Sequence, residues 1–222
     1  MQQDLQTSVL GHHPDMHNVD EFFDNVQGFG NLMMKYNCAI KEVTTKFDVL
    51  NDDMSVRFKR NPIESVKSRI KKPRSIVKKL IKNEWPITLE AVSEHLNDVA
   101  GVRVICSFVE DIYKVKEIFL KQDDITLIQE KDYIKNPKPN GYRSLHMIIE
   151  IPVFFADEKV PIRVEVQFRT IAMDFWASLE HQMKYKKEVT NEEDIIAKLK
   201  ECADIIAETD LKMQEINNMI NE

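Results

Sequence analysis

The sequence predicts an α+β protein: a small mixed β-sheet of about five strands, flanked by helices and extended by helices at both ends. Three observations lead there. Apolar residues recur at helical spacing near both ends of the chain. Between them, short apolar runs bounded by turn residues read as strands. Strict alternation from Ile162 to Arg169 puts Ile162, Val164, Val166 and Phe168 on one strand face, and Arg163, Glu165, Gln167 and Arg169 on the other.

Residues 1–18 are polar, carry His12, His13 and His17, and lack periodicity, which predicts a disordered tail. Residues 19–55 read as N-terminal helices, with Phe22, Phe23, Val26, Leu32, Met33, Tyr36, Ile40, Val43, Phe47 and Leu50 in phase. Gly28 and Gly30 predict a break between two helices, and Asn51 to Ser55 a turn. Residues 56–187 form the core. There, Pro62 to Ile70 and Pro73 to Trp85 read as short helices or helix plus loop. Thr88 caps a helix to about Asn97, and Asp111 to Lys121 forms an amphipathic helix. Val102 to Phe108, Ile125 to Gln129, Leu145 to Val153 and Val160 to Phe168 are strands. Ala172 to Lys186 returns to helix, with Phe175, Trp176, Leu179 and Met183 on one face. Trp176, Met33 and Met34 read as core, and His95 as a surface residue. Residues 188–222 are a C-terminal helical tail, opened by the capping box Thr190-Asn-Glu-Glu193. Its stripe of Ile195, Ile196, Leu199, Cys202, Ile206, Met213, Ile216 and Ile220 is expected to dock on the domain and to pair with another subunit.

Composition narrows the function. The chain of 222 residues is long enough for a full core, and no apolar run approaches the length of a membrane helix. Its first residues lack the character of a secretory signal. Cys38, Cys106 and Cys202 are odd in number and have no CxxC spacing, so they read as reduced thiols of a cytoplasmic protein without a zinc site. Net charge is −6, yet Arg57 to Lys82 holds eleven Lys and Arg against the single acid Glu64. A basic island in an acidic chain indicates a defined anion site rather than a surface that coats nucleic acid.

The stretch Tyr133-Ile-Lys-Asn-Pro-Lys-Pro-Asn-Gly-Tyr-Arg-Ser-Leu-His146 is the most informative. Pro137, Pro139 and Asn140-Gly141 force a bend that presents cations and the ring of Tyr142, suited to a flat anion such as a nucleotide. Asp98 precedes Gly101 and a strand, and Glu165 lies between arginines on another. Two carboxylates at strand edges beside arginines are what holding Mg²⁺ against polyphosphate requires. No GxxxxGK[ST], GxGxxG or GxSxG pattern occurs, so phosphates must be met by side-chain cations.

Five blocks, in order and register, resemble the synthetase domain of RelA/SpoT-type alarmone synthetases. They are Arg69-Ile-Lys-Lys-Pro-Arg-Ser-Ile-Val-Lys-Lys79, Asp98-Val-Ala-Gly-Val-Arg103, Tyr133 to His146, Val164-Glu-Val-Gln-Phe-Arg-Thr170 and Phe175 to Lys186. The resemblance covers about Asn61 to Lys187. It implies a nucleotidyltransferase-like fold and a stand-alone small synthetase, since the His-Asp dyad of the family's hydrolase does not occur. It also implies a reaction, in which the β,γ-pyrophosphate of ATP passes to the ribose 3′-hydroxyl of GDP or GTP with Mg²⁺ as cofactor. By the same resemblance, Asp98 is the principal Mg²⁺ ligand, and Glu165 is the general base and touches the metal. Arg69 and Arg103 sandwich the adenine, and Lys71, Ser75 and Lys79 meet the ATP phosphates. Tyr142 stacks on guanine, with Lys131, Lys138, Asn140, Arg143, His146 and Gln167 around the acceptor. A homotetramer built through terminal helices is expected, with single-stranded RNA or alarmone as candidate regulators. Two other readings stay open: a toxin-like relative that pyrophosphorylates adenosine nucleotides or tRNA, and a non-catalytic nucleotide or RNA sensor.

Overall fold

The structure is a computed structural model and describes residues 22, 26–58, 60–184 and 191–221. The expected tail, the first residues of the N-terminal helix and Thr190 of the capping box lie outside them. The chain divides into two compact units, one drawn from residues 1–32 and 72–96, the other from 33–71 and 97–222.

The larger unit is built on one five-stranded sheet. Helix α1 (Val26–Phe58) enters it from Met33 onward and is followed by β1 (Ile63–Ile70). After the smaller unit come β2 (Ala100–Cys106), α4 (Val109–Phe119), β3 (Thr126–Asp132), β4 (Leu145–Phe154), β5 (Lys159–Thr170), α5 (Ile171–Lys184) and α6 (Glu192–Asn221). The strand order is β1-β2-β5-β4-β3, with β2 and β5 parallel and every other pair antiparallel. This is the small mixed sheet that the sequence predicts.

Alternation makes the sheet two-faced. Val102, Val104, Val164, Val166, Phe168, Leu145, Met147 and Ile149 are all buried. Phe168 meets Phe47 of α1 edge-on at 5.7 Å, and Phe47 stacks on Phe119 of α4 at 4.2 Å. Aromatic burial of this kind is worth about 3–5 kcal/mol per ring. The opposite face carries the polar side chains described below.

In the smaller unit, Pro73 at the first helical position opens α2 (Pro73–Lys82), and the Thr88 hydroxyl accepts from the Ala91 N–H to open α3 (Leu89–His95). His95 is exposed and stacks on Trp85 at 4.8 Å.

Several expectations need correction. No break occurs at Gly28 or Gly30, and α1 is continuous through Asn51 to Ser55. A Cβ at Gly30 would meet nothing within 4 Å, so that glycine faces open space and costs helix propensity, about 1 kcal/mol, without ending the helix. Met54 stays in phase with Phe47 and is buried, which carries the helix through the polar run. Ile63 to Ile70 is a strand, not a helix. Ile63, Val66 and Ile70 have helical spacing, but pairing with β2 at the sheet edge prevails over that local pattern.

On α5, Trp176 is buried as expected, whereas Ile171, Phe175, Leu179 and Met183 form an exposed stripe. Met34 is likewise exposed. On α6 the inward face is Leu199, Ala203, Asp210 and Gln214, while Met213, Ile216 and Ile220 are exposed. Of the apolar stripe read from the sequence, Leu199 is buried and Ile195, Ile196 and Ile206 are half-buried, while Cys202 and the second half are exposed. Trp176 Nε1 donates to the Leu199 carbonyl at 3.0 Å, and the Thr170 hydroxyl donates to Asp210. Thr170 also accepts from the Met173 N–H, which caps α5.

Candidate active site

Strand register aligns one row of polar residues across the whole sheet. Lys67 of β1 lies opposite Arg103 of β2, which lies opposite Gln167 of β5, then His146 of β4 and Lys131 of β3. One step along the strands, Arg69, Gly101 and Glu165 line up in the same way. Lys67, Arg69, Gly101, Arg103, Glu165 and Gln167 bound an open cleft of about 90 Å³. A Cβ on Gly101 would stand 3.4 Å from the Cγ of Arg69, so the absent side chain leaves the arginine its path across the strand.

Glu165 occupies the middle of this face. Its Oε2 accepts from Gln167 Nε2 at 2.9 Å and stands 3.9 Å from Arg69 Nη2. Its Oε1 stands 3.4 Å from His146 Nδ1. Burial pushes the carboxyl up, but hydrogen bonding and charge from His146, with the Gln167 amide, outweigh it and hold the group below the usual glutamate range. The carboxylate is therefore ionised at neutral pH and faces the cleft, with a lowered pKa that limits its strength as a base while these partners hold it.

Asp98 sits in the turn before β2, where its Oδ2 accepts from Lys71 Nζ at 2.7 Å. The Lys71 N–H also donates to the Val99 carbonyl, so the backbone fixes this pair. Ser75 and Lys79 lie on α2 of the smaller unit, Ser75 exposed and Lys79 half-buried.

Around Tyr142 the loop closes through tight turns. Asp132 Oδ1 accepts from the N–H groups of Ile134 and Lys135. The Lys138 N–H donates to the Tyr142 carbonyl, and the Gly141 N–H donates to the Lys138 carbonyl. Asn140 accepts from the Tyr142 N–H and donates to Glu180 of α5. Gly141 takes a φ of +86°, which favours glycine. Lys138 Nζ lies 4.7 Å and 4.8 Å from the ring centres of Tyr133 and Tyr142. The Tyr142 hydroxyl stands 2.8 Å from His146 Nε2. Arg143 donates to the Gly141 and Ala203 carbonyls and to Asp204, which ties the loop to α6. Lys131 is exposed on the edge strand.

Two residues that the sequence reading gave no role join this face. Asp174 in the first turn of α5 accepts from Arg103 at 3.1 Å, Arg169 at 2.9 Å and Lys67 at 3.3 Å. Burial raises its carboxyl, but Arg103, Arg169 and Lys67 together hold it below the usual aspartate range. Arg169 is itself buried and reaches Tyr142. The only signal for this cluster was an acid opening a helix immediately after a strand with an arginine near its end.

A two-faced mixed sheet with a carboxylate among cationic and polar side chains on one face suits a nucleotide-dependent transferase. Residues 68–190 match the family described as “Region found in RelA / SpoT proteins”. The GTP pyrophosphokinase YwaC of Bacillus subtilis is 41% identical over 204 residues, which span 92% of this chain and 97% of that protein. Small alarmone synthetase 1 of Bacillus subtilis, solved with its product pppGpp, superposes with a TM-score of 0.80 at 31% identity, covering 87% of this chain and 98% of that one. Small alarmone synthetase 2 of the same organism gives a TM-score of 0.77 at 42% identity, covering 86% and 98%. The chain belongs to the RelA/SpoT family.

Proposed function

We propose that this protein is a (p)ppGpp synthetase, a GTP pyrophosphokinase that moves the β,γ-pyrophosphate of ATP to the ribose 3′-hydroxyl of GDP or GTP. The observation that carries this reading is the placing of Glu165, ionised and held on both oxygens, on a face that also carries Lys67, Arg69 and Arg103. A secondary hydroxyl is a poor nucleophile at neutral pH and needs its proton removed as it attacks. The bond from the 3′-oxygen to the β-phosphorus forms, the bond from the α,β-bridging oxygen to that phosphorus breaks, AMP leaves, and the proton passes to Glu165. Cations around the transferred group stabilise the charge as it redistributes.

Asp98 and Glu165 suit a magnesium ion. Their charges sense one another, and two carboxylates completed by polyphosphate oxygens are a donor set this hard ion accepts. When bound, it supplies charge neutralisation on the polyphosphate. Arg69 and Arg103 are assigned to the adenine, and Lys71 to the ATP phosphates, which requires exchange of its ion pair with Asp98. The resemblance assigns Ser75 and Lys79 of α2 to phosphates as well. On the acceptor side, Tyr142 is assigned to the guanine, with Lys131, Lys138, Asn140, His146 and Gln167 around the nucleotide. Arg143 reaches an acceptor phosphate only if its ties to α6 open.

Catalysis is assigned to residues 56–187 and assembly to 188–222. The exposed apolar residues of α5 and α6 support a homo-oligomer, which we take to be a tetramer. No helix among the described residues is long and apolar enough to cross a membrane, and the substrates point to the cytoplasm.

The test is incubation with γ-labelled ATP, Mg²⁺ and, separately, GDP, GTP, ADP or tRNA, followed by chromatography. Label in ppGpp or pppGpp is the expected result. Label only in adenosine products or tRNA would transfer the chain to the toxin-like reading, and absence of transfer to every acceptor would defeat the assignment.

A further inference from the structure

Both oxygens of Glu165 are held by groups whose own orientation is set by a single buried side chain. Arg169 is 5% exposed and lies on the same face of β5 as Glu165 and Gln167. Its Nη1 donates to Asp174, which fixes the guanidinium plane. Its Nη2 donates to the Tyr142 hydroxyl at 2.9 Å and approaches Gln167 Oε1 at 3.4 Å.

An arginine only donates, so each contact dictates what its partner does next. Gln167 turns its carbonyl oxygen to Arg169 and therefore its amide nitrogen to Glu165 Oε2. The Tyr142 oxygen receives the Arg169 proton, which leaves the tyrosine's own proton for His146 Nε2, 2.8 Å away. A neutral His146 then carries its proton on Nδ1, the nitrogen that faces Glu165 Oε1. Two hydrogen-bond chains start at Arg169 and converge on the two oxygens of one carboxylate.

We propose that Arg169 is the positioning residue of this site: it selects the Gln167 amide orientation and the Nδ1–H tautomer of His146, and thereby aims Glu165. The proposal rests on the synthetase reading for its consequence in turnover, but the tautomer can be measured without any activity. Asp174 keeps Arg103 and Lys67 as partners when Arg169 is removed, so replacement leaves no isolated buried charge there.

Two measurements test it. Long-range ¹H–¹⁵N correlation on ¹⁵N-histidine-labelled protein, recorded at a pH where the spectrum itself shows the His146 ring neutral, is expected to show the Nδ1–H form, and to show the Nε2–H form or a mixture in Arg169→Met. A wild-type His146 in the Nε2–H form would overturn the proposal. In kinetics, Arg169→Met is expected to lower kcat by roughly 100-fold, since small displacements of a catalytic group cost about that much. The acceptor KM should rise while the ATP KM stays within about twofold. Arg169→Lys keeps the charge but offers no fork to reach Asp174 and Tyr142 together, and should recover only part of the loss. Loss of thermal stability with unchanged kcat in both folded variants would overturn the positioning role, and if Arg169→Met does not fold, Arg169→Lys and the wild-type tautomer decide. A wild type that transfers no pyrophosphate would defeat the function proposed above and leave the tautomer result standing.

Discussion

Gly141→Ala is the substitution whose effect the structure lets us calculate most directly. Gly141 holds a φ of +86°, and a Cβ there would stand 2.5 Å from the Cβ of Ala203 and 3.2 Å from the Cα of Lys200, both on α6. Left-handed backbone at a non-glycine residue costs about 1–2 kcal/mol. Forcing a methyl into a packed contact costs about 1–3 kcal/mol more, because the neighbour is helix backbone rather than a flexible side-chain end. A total near 3 kcal/mol corresponds to a Tm lower by roughly 6–12 °C for a domain of this size. Ala203→Gly removes the nearer methyl at a helix-propensity cost of about 1 kcal/mol. In thermal unfolding of the two single variants and the double variant, the double should therefore be more stable than the sum of the singles by about 1–2 kcal/mol. Because Tyr142 follows directly, Gly141→Ala should also raise the acceptor KM. A Tm within 2 °C of wild type, or strict additivity in the cycle, would refute the docking of this loop on α6.

Three further outcomes are expected. Glu165→Gln keeps the shape of the side chain but cannot accept a proton and turns an amide N–H toward one of the two donors that face Glu165, so kcat should fall by about 10²- to 10⁴-fold with the fold intact and a lower Tm at neutral pH; near-normal turnover in the labelled-ATP assay would remove Glu165 from the role of base. Tyr142→Ala should raise the KM for the guanine nucleotide by roughly tenfold or more, from the loss of base stacking, with the ATP KM nearly unchanged; equal effects on both substrates would contradict the stacking role. Asp210 is buried, and burial raises its carboxyl despite the Thr170 hydrogen bond. A raised folded-state pKa means that the group's stabilising contribution is present below the unfolded value and is lost as pH rises through the folded one. Asp210→Asn still accepts from Thr170, so it should raise Tm at pH 7.5 by a few degrees and by less near pH 4.5; a lower Tm at pH 7.5 would show that the charged form is the favoured one.

Much of this molecule was legible in its sequence because the relevant physics is local. Alternation along β5 separated Val164, Val166 and Phe168 from Glu165, Gln167 and Arg169, and the structure keeps that division. Thr88 announced a helix start, and the Pro137 to Gly141 run announced a bend. Where local signals competed with long-range ones, the reading failed. Ile63, Val66 and Ile70 look helical until β2 offers them a ladder, and two glycines look like a break until the buried face of α1 outweighs them. The inward face of α6 was obscured because Asp210 and Gln214 do not resemble core residues.

The sequence by itself determined most elements of an α+β fold, the family, and the residues proposed to meet a nucleotide, since periodicity, turn chemistry and motif order all act within a few residues of chain. Only the tertiary structure decided how those residues join. Strand register across five strands brings Lys67, Arg103, Gln167, His146 and Lys131 into one row from separate stretches of chain. The first turn of α5 delivers Asp174 to three cations, and β5 delivers Arg169 to the loop tyrosine. The hydrogen bonds that orient a carboxylate depend on distances of a fraction of an ångström between residues remote in the chain, and pairing and packing set those distances.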